Sequence, residues 1–309
     1  MSDRPPPSSA ERRQRFRADL VSGRLLSFPG AFSPLVGKLV DELGFDGIYV
    51  SGAALSADLG LPDIGLTTLT EVAGRGEQIA RATTLPILID ADTGFGEPLN
   101  VARTIRALED AGMSGCHIED QVNPKRCGHL DHKSVVGRDQ MVRRVRAATA
   151  ARRDPNFVIC ARTDAFAIEG MKATIDRAKA YVDAGADMVF PEALPGEREF
   201  AAIRESIDVP LLANMTEFGK SPLLARTTLE TLGFNVVIYP VTTLRLAMGA
   251  IEEGLRALRR DGTQVSLLDR MQTRARLYEL LGYADYDAFD ADVFNFDLET
   301  GGRDNDHHA

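Results

Sequence analysis

Short apolar segments of strand length recur along the chain, separated by longer segments with apolar residues at helical spacing. The strand-length segments are LLSFPG (25–30), DGIYVSG (46–52), LPILIDADT (85–93), SGCHIED (114–120), FVICARTD (157–164), MVFPEA (188–193), PLLANMT (210–216) and VVIYPV (236–241). The segments between them include NVARTIRALEDAG and KATIDRAKAYVDAG, whose apolar residues follow a helical period. Near-continuous apolar strands that alternate with helices are typical of a parallel sheet buried on both faces.

Four of the predicted helices end with a glycine a few residues before the next strand segment. These glycines are Gly44, Gly112, Gly185 and Gly233. Glycine readily adopts the left-handed conformation that ends a helix before a tight turn. The repeated alternation therefore predicts a (β/α)8 barrel, a fold that usually takes about 250 residues. An open doubly wound sheet is the alternative, although no GxGxxG follows the first strand segment.

The segments that flank this alternation differ in composition. Residues 1–10, which include PPPSS, are predicted to be a disordered lead, and ERRQRFRADLVSG is predicted to be a helix. After the last strand segment, TLRLAMGAIEEGLRALRRDG and LLDRMQTRARLYELLGY predict two extra helices within about residues 242–298. We predict a single barrel domain over residues 11–298 and a disordered polar tail over residues 299–309.

Charge and cysteine content narrow the classes of function. The 309-residue chain has a net charge of −9, so we expect no broad basic surface for nucleic acid or membrane lipid. No apolar run reaches the roughly 18 residues of a membrane helix, and the N-terminus lacks the apolar core of a secretory signal. We therefore expect a cytoplasmic protein with a small-molecule substrate. Three cysteines without a CxxC pair fit neither a zinc cluster nor a disulfide framework.

Polar residues cluster where the predicted strands end. They are Tyr49, Ser51 and Gly52 in the second segment, Asp90 and Asp92 in the third, His117, Glu119 and Asp120 in the fourth, Arg162 and Asp164 in the fifth, Glu192 in the sixth, and Asn214 and Thr216 in the seventh. Contact with water at strand ends explains one or two such cases, but not a run of consecutive strands. Because active sites of these barrels lie at the carboxyl ends of the strands, the pattern predicts an active site there.

Asp90 and Asp92 lie at the end of the third segment, just before a glycine-bearing loop. Because side chains alternate along a strand, we expect Asp90 and Asp92 to point the same way. Two carboxylates this close repel each other unless a proton or a cation lies between them. Oxygen ligands favour Mg²⁺, with Mn²⁺ as the alternative ion, and Glu119 and Glu192 could support it through water. The alternative is one aspartate inside the barrel and the other in solvent.

Cationic side chains are candidates for binding substrate carboxylates. They are Lys125, Arg126, Arg162, Arg245 and Arg274. Arg162 ends a strand and is the strongest candidate, because a guanidinium can bind a carboxylate through two hydrogen bonds. Arg245 follows the eighth strand segment and Arg274 lies on a C-terminal helix, so each by itself is more often a surface residue. A metal ion together with several cations suits a di- or tricarboxylate substrate.

The loop after the fourth strand segment, NPKRCGHLDHK, contains a thiol among charged residues. Lys125 and Arg126 precede Cys127, and their positive charge is expected to lower the thiol pKa from about 8.5 towards neutrality. Such a thiol is a candidate catalytic acid or base. Gly128 is a candidate hinge for a closing loop, and His129 is expected to order the loop or meet a substrate carboxylate. A covalent nucleophile, a redox thiol and an incidental loop cysteine are the alternatives.

Seven motifs resemble those of the isocitrate lyase and phosphoenolpyruvate mutase superfamily. They are SGA…LGLPD at 51–63, DADTGFG at 90–96, HIEDQ at 117–121, KRCGH at 125–129, ARTDA at 161–165, PEA at 191–193 and NMTEFG at 214–219. The motifs follow the family's order, and the resemblance extends over about residues 11–298. Within the superfamily the chain most resembles the 2-methylisocitrate lyases, because it is short and reads KRCGH where isocitrate lyases typically read KKCGH.

The resemblance implies a role for each matching residue. Asp90 and Asp92 would hold Mg²⁺, with Glu119 acting through water; Ser51, Gly52 and Ala53 would cradle the keto-acid half of the substrate; Arg162 would bind its carboxylate; Glu192, Asn214, Thr216, Arg245 and Arg274 would complete the pocket; and Cys127 and Gly128 would lie on the closing loop, with Lys125, Arg126 and His129 beside them. Ala53 stands where the family often has glycine, which bears on the pocket near a substrate methyl group. The family also implies a homotetramer whose C-terminal helices are exchanged between neighbours.

The implied reaction is Mg²⁺-dependent cleavage of 2-methylisocitrate to pyruvate and succinate, in propionate breakdown through the methylcitrate cycle. Asp63 and Tyr49 are both candidates for the base that takes the hydroxyl proton, and Cys127 is the candidate acid. The alternatives within the superfamily are isocitrate lyase, 2,3-dimethylmalate lyase, oxaloacetate decarboxylase and a phosphonate-forming mutase of the carboxyphosphonoenolpyruvate type. A Schiff-base aldolase and a barrel that only binds dicarboxylates are alternatives of other kinds.

Overall fold

In the computed structural model, which describes residues 6–130 and 132–295, eight strands alternate with helices. The strands are β1 (Leu26–Pro29), β2 (Ile48–Val50), β3 (Ile87–Asp90), β4 (Gly115–Glu119), β5 (Val158–Thr163), β6 (Met188–Pro191), β7 (Leu212–Asn214) and β8 (Val236–Tyr239). Each strand lies inside one of the predicted strand segments. The prediction succeeds because strands covered on both faces must be apolar along their whole length.

The strands are parallel and form a closed barrel. Strands β2 to β6 pair in sequence order, while β1 pairs with β8 and β8 with β7. Two single bridges, from Gly30 to Tyr49 and from Val189 to Leu211, join β1 to β2 and β6 to β7. The predicted (β/α)8 barrel is therefore confirmed, and the open doubly wound alternative is wrong.

Helices precede and follow the strands. They are α1 (Ser9–Leu20), α2 (Pro34–Glu42), α3 (Gly52–Asp58), α4 (Leu69–Ala80), α5 (Pro98–Asp110), α6 (Arg138–Ala151), α7 (Phe166–Asp183), α8 (Glu197–Ser206), α9 (Arg226–Thr231) and α10 (Thr242–Asp261). The four glycines predicted to end helices all have positive φ, at 75° for Gly44, 83° for Gly112, 105° for Gly185 and 75° for Gly233. Each of them therefore has the left-handed conformation that the sequence predicts.

Helix α1 covers the amino-terminal end of the barrel. Phe16 and Leu20 are buried in the apolar cluster that fills the barrel interior. Arg13 donates a hydrogen bond of 2.8 Å to the carbonyl of Met113, just before β4. The opposite end of the barrel, where the strands have their carboxyl ends, is left open for a site.

The described residues fall into two compact units, 6–264 and 265–295. The second unit contains a 3-10 helix (Val265–Arg270), α11 (Arg274–Leu281) and α12 (Tyr283–Phe294). The single helix predicted over LLDRMQTRARLYELLGY is wrong, because the chain leaves the helical conformation between the 3-10 helix and α11. Thr273 begins α11 as a capping residue, and its hydroxyl accepts a hydrogen bond of 3.2 Å from the backbone N–H of Arg276.

The predicted boundaries meet the structure in part. Helix α1 begins at Ser9, inside the disordered lead predicted over residues 1–10, and residues 1–5 of that lead lie outside the described residues. The predicted tail over residues 299–309 also lies outside them, and the single domain over 11–298 stays a prediction. Among the described helices, none combines the length and apolar character needed to span a membrane.

Candidate active site

Most of the predicted site residues meet around one cavity at the carboxyl ends of the strands, which we call the mouth cavity. Its volume is about 80 Å³. Its lining residues are Tyr49, Ser51, Ala53, Asp63, Asp90, Lys125, Cys127, Gly128, His129, Arg162, Phe190, Glu192, Asn214, Thr216, Pro240, Val241 and Arg245. The predicted residues outside this lining are Gly52, Asp92, Glu119, Arg126 and Arg274.

The two aspartates converge, but not in the way that strand alternation predicts. Strand β3 ends at Asp90, and Asp92 has a positive φ of 46°, so Asp92 lies in a turn. Asp90 accepts hydrogen bonds from the backbone N–H groups of Asp92, at 3.0 Å, and Gly52, at 3.2 Å. A Cβ on Gly52 would lie 2.8 Å from one oxygen of Asp90 and 3.5 Å from one of Asp92. The absence of a side chain at Gly52 therefore leaves space between the two carboxylates.

The surroundings drive the two carboxyl pKa values apart. Burial opposes ionisation of Asp90, but His117, Lys125 and Arg162 together lower its pKa to about 2. Burial and the neighbouring charge of Asp90 raise the pKa of Asp92 to about 6, despite an ion pair of 2.8 Å with Lys125. A pair held in this way binds either a proton or a cation.

Glu119, at the end of β4, supplies a third carboxylate beside this pair. The side chain is fully buried, and neither of its oxygens has a hydrogen bond within the described residues. Arg162 forms an ion pair with it, at 3.2 Å from Oε2, and burial raises the pKa of Glu119 well above the ordinary value. A buried carboxylate without hydrogen bonds is rare in proteins and fits a site that takes up water or an ion.

The donor set fits a hydrated magnesium ion better than a fully protein-bound metal. Among the described residues there is no group of three or more His, Cys, Asp or Glu side chains placed to hold a metal ion together. Mg²⁺ typically keeps several waters and takes only one or two carboxylates from the protein. Asp90 and Asp92, with Glu119 behind them, meet that requirement.

A second cavity, which we call the side cavity, reaches Asp92 from another direction. Its volume is about 350 Å³. Its lining residues are Gly65, Thr67, Thr68, Leu69, Thr70, Asp92, Thr93, Phe95, Gly96, Asn100, Arg103, Thr104 and Asn123. Asp90 therefore faces the mouth cavity and Asp92 the side cavity.

Arg162 lies at the centre of the charged network under the mouth cavity. Its guanidinium contacts Asp164 at 2.9 Å, Glu119 at 3.2 Å and Glu192 at 3.4 Å. It also stacks over the ring of Phe190, with 5.1 Å between the guanidinium carbon and the ring centroid. These contacts fix the guanidinium in a buried position that still borders the cavity.

Lys133 is a residue of this network that the sequence did not single out. Its ammonium group is buried, pairs with Asp164 at 2.8 Å and donates to the carbonyl of Gly128 at 2.5 Å. Lys133 follows the KRCGH motif in a polar loop without periodicity, so nothing local distinguishes it from a solvated lysine. It fastens the loop of Cys127 to the end of β5.

The loop of Cys127 packs directly against the carboxylate network. A Cβ on Gly128 would lie 2.4 Å from Nη2 of Arg162, so glycine is required there for close packing as well as for the predicted flexibility. Nδ1 of His129 accepts a hydrogen bond of 2.9 Å from the backbone N–H of Lys220. Nε2 therefore carries the proton and donates it across 2.7 Å to Glu192. His129 therefore links the loop of Cys127 to Glu192 and to the backbone of Lys220.

The structure corrects the predicted pKa of Cys127. Burial raises the thiol pKa above its ordinary value, and a hydrogen bond from the backbone N–H of His129 offsets only part of this effect. The charges expected to lower it act elsewhere, because Lys125 is paired with Asp92 and Arg126 is exposed to solvent. The side chain is therefore a protonated thiol at neutral pH, which favours a proton donor over a covalent nucleophile.

Both candidate bases border the mouth cavity. The hydroxyl of Tyr49 lies 2.7 Å from Nε2 of His117. Burial, together with the charge of Asp90, raises the pKa of Tyr49 well above the ordinary value, so its phenol is neutral. Asp63 is a carboxylate that forms an ion pair with Lys125. The neutral phenol of Tyr49 is a poor proton acceptor, so Asp63 stays the candidate base of the two.

The remaining strand-end residues surround the same cavity. Ser51 caps α3, and its hydroxyl accepts a hydrogen bond of 3.3 Å from the backbone N–H of Ala54. Asn214 donates to Glu192 at 3.3 Å, while its carbonyl oxygen has no hydrogen bond among the described residues. Ala53 contributes a small apolar side chain to the cavity lining, and Thr216 contributes a polar one.

Two of the predicted cations, Arg126 and Arg245, are exposed, and a third, Arg274, belongs to the other compact unit. Arg126 is exposed, and its backbone carbonyl accepts a hydrogen bond of 2.8 Å from Gln121. Arg245 lies at the rim, where it pairs with Glu217 at 3.0 Å. Arg274 opens α11 in the unit of residues 265–295.

Comparison with known proteins agrees with the fold and shows the family. A family model described as phosphoenolpyruvate phosphomutase matches residues 16–259. A probable 2-methylisocitrate lyase of Corynebacterium glutamicum is 63% identical over 286 residues, which covers 92% of this chain and 94% of that protein.

Solved structures of three enzymes share the fold over almost the whole chain. Oxaloacetate acetylhydrolase matches with a TM-score of 0.88 and 35% identity, over 94% of this chain and 100% of that one. 2,3-Dimethylmalate lyase matches with a TM-score of 0.86 and 34% identity, over 95% and 100% of the two chains. Phosphonopyruvate hydrolase, solved with oxalate and Mg²⁺, matches with a TM-score of 0.84 and 31% identity, over 94% and 100%. The chain belongs to the phosphoenolpyruvate mutase and isocitrate lyase superfamily, among whose carbon–carbon lyases it has relatives named 2-methylisocitrate lyase.

Proposed function

We propose that the protein cleaves (2S,3R)-2-methylisocitrate to pyruvate and succinate. The observation that carries this proposal is the mouth cavity itself, because the protonated thiol of Cys127, the guanidinium of Arg162 and the carboxylate of Asp90 line the same small space. A proton donor, a carboxylate-binding cation and a metal-binding carboxylate are the groups that this cleavage needs. The relative from Corynebacterium glutamicum, which carries that enzyme's name at 63% identity, supports the same substrate.

A divalent cation completes the proposed site. Asp90 and Asp92 would hold Mg²⁺, with Mn²⁺ as a substitute, and Glu119 would act through water. The bound ion would polarise the substrate hydroxyl and its adjacent carboxylate. The fit rests on the space at Gly52 and on the buried oxygens of Glu119 that lack hydrogen bonds. The similar phosphonopyruvate hydrolase was solved with Mg²⁺.

The side chains of the mouth cavity divide the proton transfers between them. Asp63 accepts the proton of the substrate hydroxyl, and the carbon–carbon bond then breaks with its electron pair left on the succinate half. Arg162 and Asn214 stabilise the negative charge that develops there. Cys127 gives its thiol proton to that carbon, and the resulting thiolate recovers a proton through solvent.

The charge state of Lys125 and the ion pair of Lys133 oppose a Schiff-base mechanism. A Schiff base needs a neutral amine. Burial would lower the pKa of Lys125, but Asp92, Glu119 and Asp90 outweigh it and hold that pKa well above its usual value. Lys133 is buried against Asp164. Neither amine is free for attack on a carbonyl group.

One assay separates the proposed reaction from its relatives. We expect pyruvate release from 2-methylisocitrate to exceed release from isocitrate, 2,3-dimethylmalate and oxaloacetate, and EDTA to abolish it. Preference for 2,3-dimethylmalate would favour the activity named for the similar lyase structure. Phosphonate formation without pyruvate release would favour a mutase. Undiminished activity in EDTA would contradict the metal-dependent proposal.

We propose a homotetramer as the functional assembly. The apolar side chains Met248, Ile251, Leu255 and Leu258 of α10 are exposed along one stripe. An apolar groove of about 440 Å³, lined by residues that include Pro29, Val36, Leu39, Leu43, Phe45 and Tyr239, lies beside β1 and α2. In a (β/α)8 barrel this is where a helix after β8 normally packs. We infer that α10 of a neighbouring copy fills the groove.

The proposed reaction also implies a cellular setting. We place the enzyme in the cytoplasm, in propionate breakdown through the methylcitrate cycle. Deletion of its gene should impair growth on propionate while leaving growth on acetate intact. Fractionation should recover the protein with the cytoplasmic enzymes.

A further inference from the structure

The two carboxylates of the proposed metal site face different cavities. Asp90 lines the mouth cavity and Asp92 lines the side cavity, although one oxygen of each lies within 3.5 Å of the same point above Gly52. An ion held between them therefore borders both cavities. The question is which cavity the hydrated ion passes through.

The mouth cavity is small, and hydrogen bonds hold the loop of Cys127 against it. Its volume is about 80 Å³, and Cys127, Gly128 and His129 form one of its walls. Lys133 holds the carbonyl of Gly128 at 2.5 Å, and His129 binds Glu192 at 2.7 Å. Passage of a hydrated ion on this side requires these contacts to break.

The side cavity offers a wider and more polar passage. Its volume is about 350 Å³, compared with about 80 Å³ for the mouth cavity. Its wall runs from the buried Asp92, Thr67 and Thr93 to the exposed Asn100 and Arg103. Hydroxyl and amide oxygens along this wall can replace hydrogen bonds of an ion's water shell, as oxygen ligands suit hard cations.

We propose that the side cavity is the route by which the hydrated divalent cation enters and leaves the site, while the loop of Cys127 stays in place. The inference rests on the proposed metal site at Asp90 and Asp92. The substrate and the ion then enter by different routes. The organic substrate enters the mouth cavity, and the ion enters through the side cavity. The positive charge of Arg103 at the rim then repels the cation and lowers its association rate.

The first test narrows the route without touching the carboxylates. Thr70 is exposed on α4 and lines the side cavity, so Thr70→Trp fills its outer part. With Mn²⁺ as the probe, stopped-flow mixing with a fluorescent chelator gives the rates of ion binding and release by the full chain. We expect both rates to fall by about fivefold or more, with the ratio that sets Kd unchanged. Thr231→Trp, on exposed α9 outside both cavities, is the matched control.

The second test changes the charge of the rim. Arg103→Glu is expected to raise the Mn²⁺ association rate about threefold or more at low salt, and added salt should reduce the difference. Arg106→Glu makes the same charge change on the same helix, at an exposed position outside the cavity lining, and should have a much smaller effect. This arm decides the matter if Thr70→Trp does not fold.

The outcomes separate this inference from the proposed function. Wild-type exchange rates in both Thr70→Trp and Arg103→Glu, with normal Mn²⁺ affinity, would overturn the route and leave the metal site intact. An equal effect of Arg103→Glu and Arg106→Glu would also overturn it, since the charge would then act at long range. If the wild-type protein does not bind Mn²⁺, the metal site and its route both fall.

Discussion

At Cys127, burial raises the thiol pKa, and the hydrogen bond from the backbone N–H of His129 lowers it by a smaller amount. A motif with two cations beside a cysteine predicts a thiolate, but that prediction assumes that the cations face the sulfur. Lys125 instead forms ion pairs with Asp63 and Asp92. The protonated thiol that results suits an acid which delivers a proton to a carbanion.

Replacement of the thiol tests this role. Cys127→Ser should lower kcat by about 10²-fold or more, because a hydroxyl is a much weaker acid than a thiol and general acid catalysis contributes ~10²–10⁴-fold. Binding of pyruvate in the presence of Mg²⁺, measured by calorimetry, should remain close to that of the wild type. Near-normal turnover would show that another group protonates the succinate carbon.

The two nitrogens of His129 have separate partners that can be removed one at a time. His129→Asn keeps an acceptor near the backbone N–H of Lys220 but loses the bond to Glu192. His129→Gln reaches Glu192 but loses the bond to Lys220. A hydrogen bond to a buried charge contributes about 1.5–3 kcal/mol. We therefore expect kcat/KM of His129→Asn to be about tenfold lower than that of His129→Gln.

The measurement is a steady-state comparison of these two variants with each other and with the wild type. If kcat falls and KM stays constant in His129→Asn, the residue positions the loop for catalysis. An equal loss in both variants would contradict a special importance of the bond to Glu192.

At the scale of elements, the loop between β4 and α6 closes against β5 and β6 through a glycine. Because a Cβ on Gly128 would lie 2.4 Å from Arg162, Gly128→Ala should push the loop outwards. We expect kcat/KM to fall by about tenfold or more and Tm to change little, because a displaced loop disturbs few core contacts. Gly137→Ala is the control, since nothing lies within 4 Å of its Cβ position. Similar losses in the two variants would argue against close packing as the reason for glycine.

The sequence predicts the helices and strands better than it predicts the contacts between them. The strands are predictable because burial on both faces requires an uninterrupted apolar run. The helix ends at Gly44 and Gly112 are predictable because glycine adopts the left-handed conformation there more easily than any other residue. The orientation of Asp92 was not predictable, because its positive φ depends on a turn rather than on strand alternation. Lys133 was missed because its partner, Asp164, follows β5 and is 31 residues further along the chain. Local sequence pattern therefore predicts helices and strands, whereas the partners of buried charged side chains become visible only in the folded structure.

For the whole molecule, the exposed apolar stripe of α10 is the feature that a single chain leaves unexplained. Apolar stripes of this kind on soluble proteins usually mark an interface. In the proposed tetramer the stripe lies in the groove of a neighbouring copy. The interface would then be reciprocal, because each copy offers both a helix and a groove.

Leu255→Glu tests the assembly, because a charge in the middle of the stripe cannot be buried without a partner. We expect analytical ultracentrifugation to find a tetramer for the wild type and smaller species for the variant, with a lower Tm that depends on protein concentration. Arg260→Glu, five residues further along α10 and on a different side of the helix, should leave the tetramer intact. A wild-type monomer, or a tetramer that survives Leu255→Glu, would contradict the exchange of α10 between neighbours and would leave the groove beside β1 to another occupant.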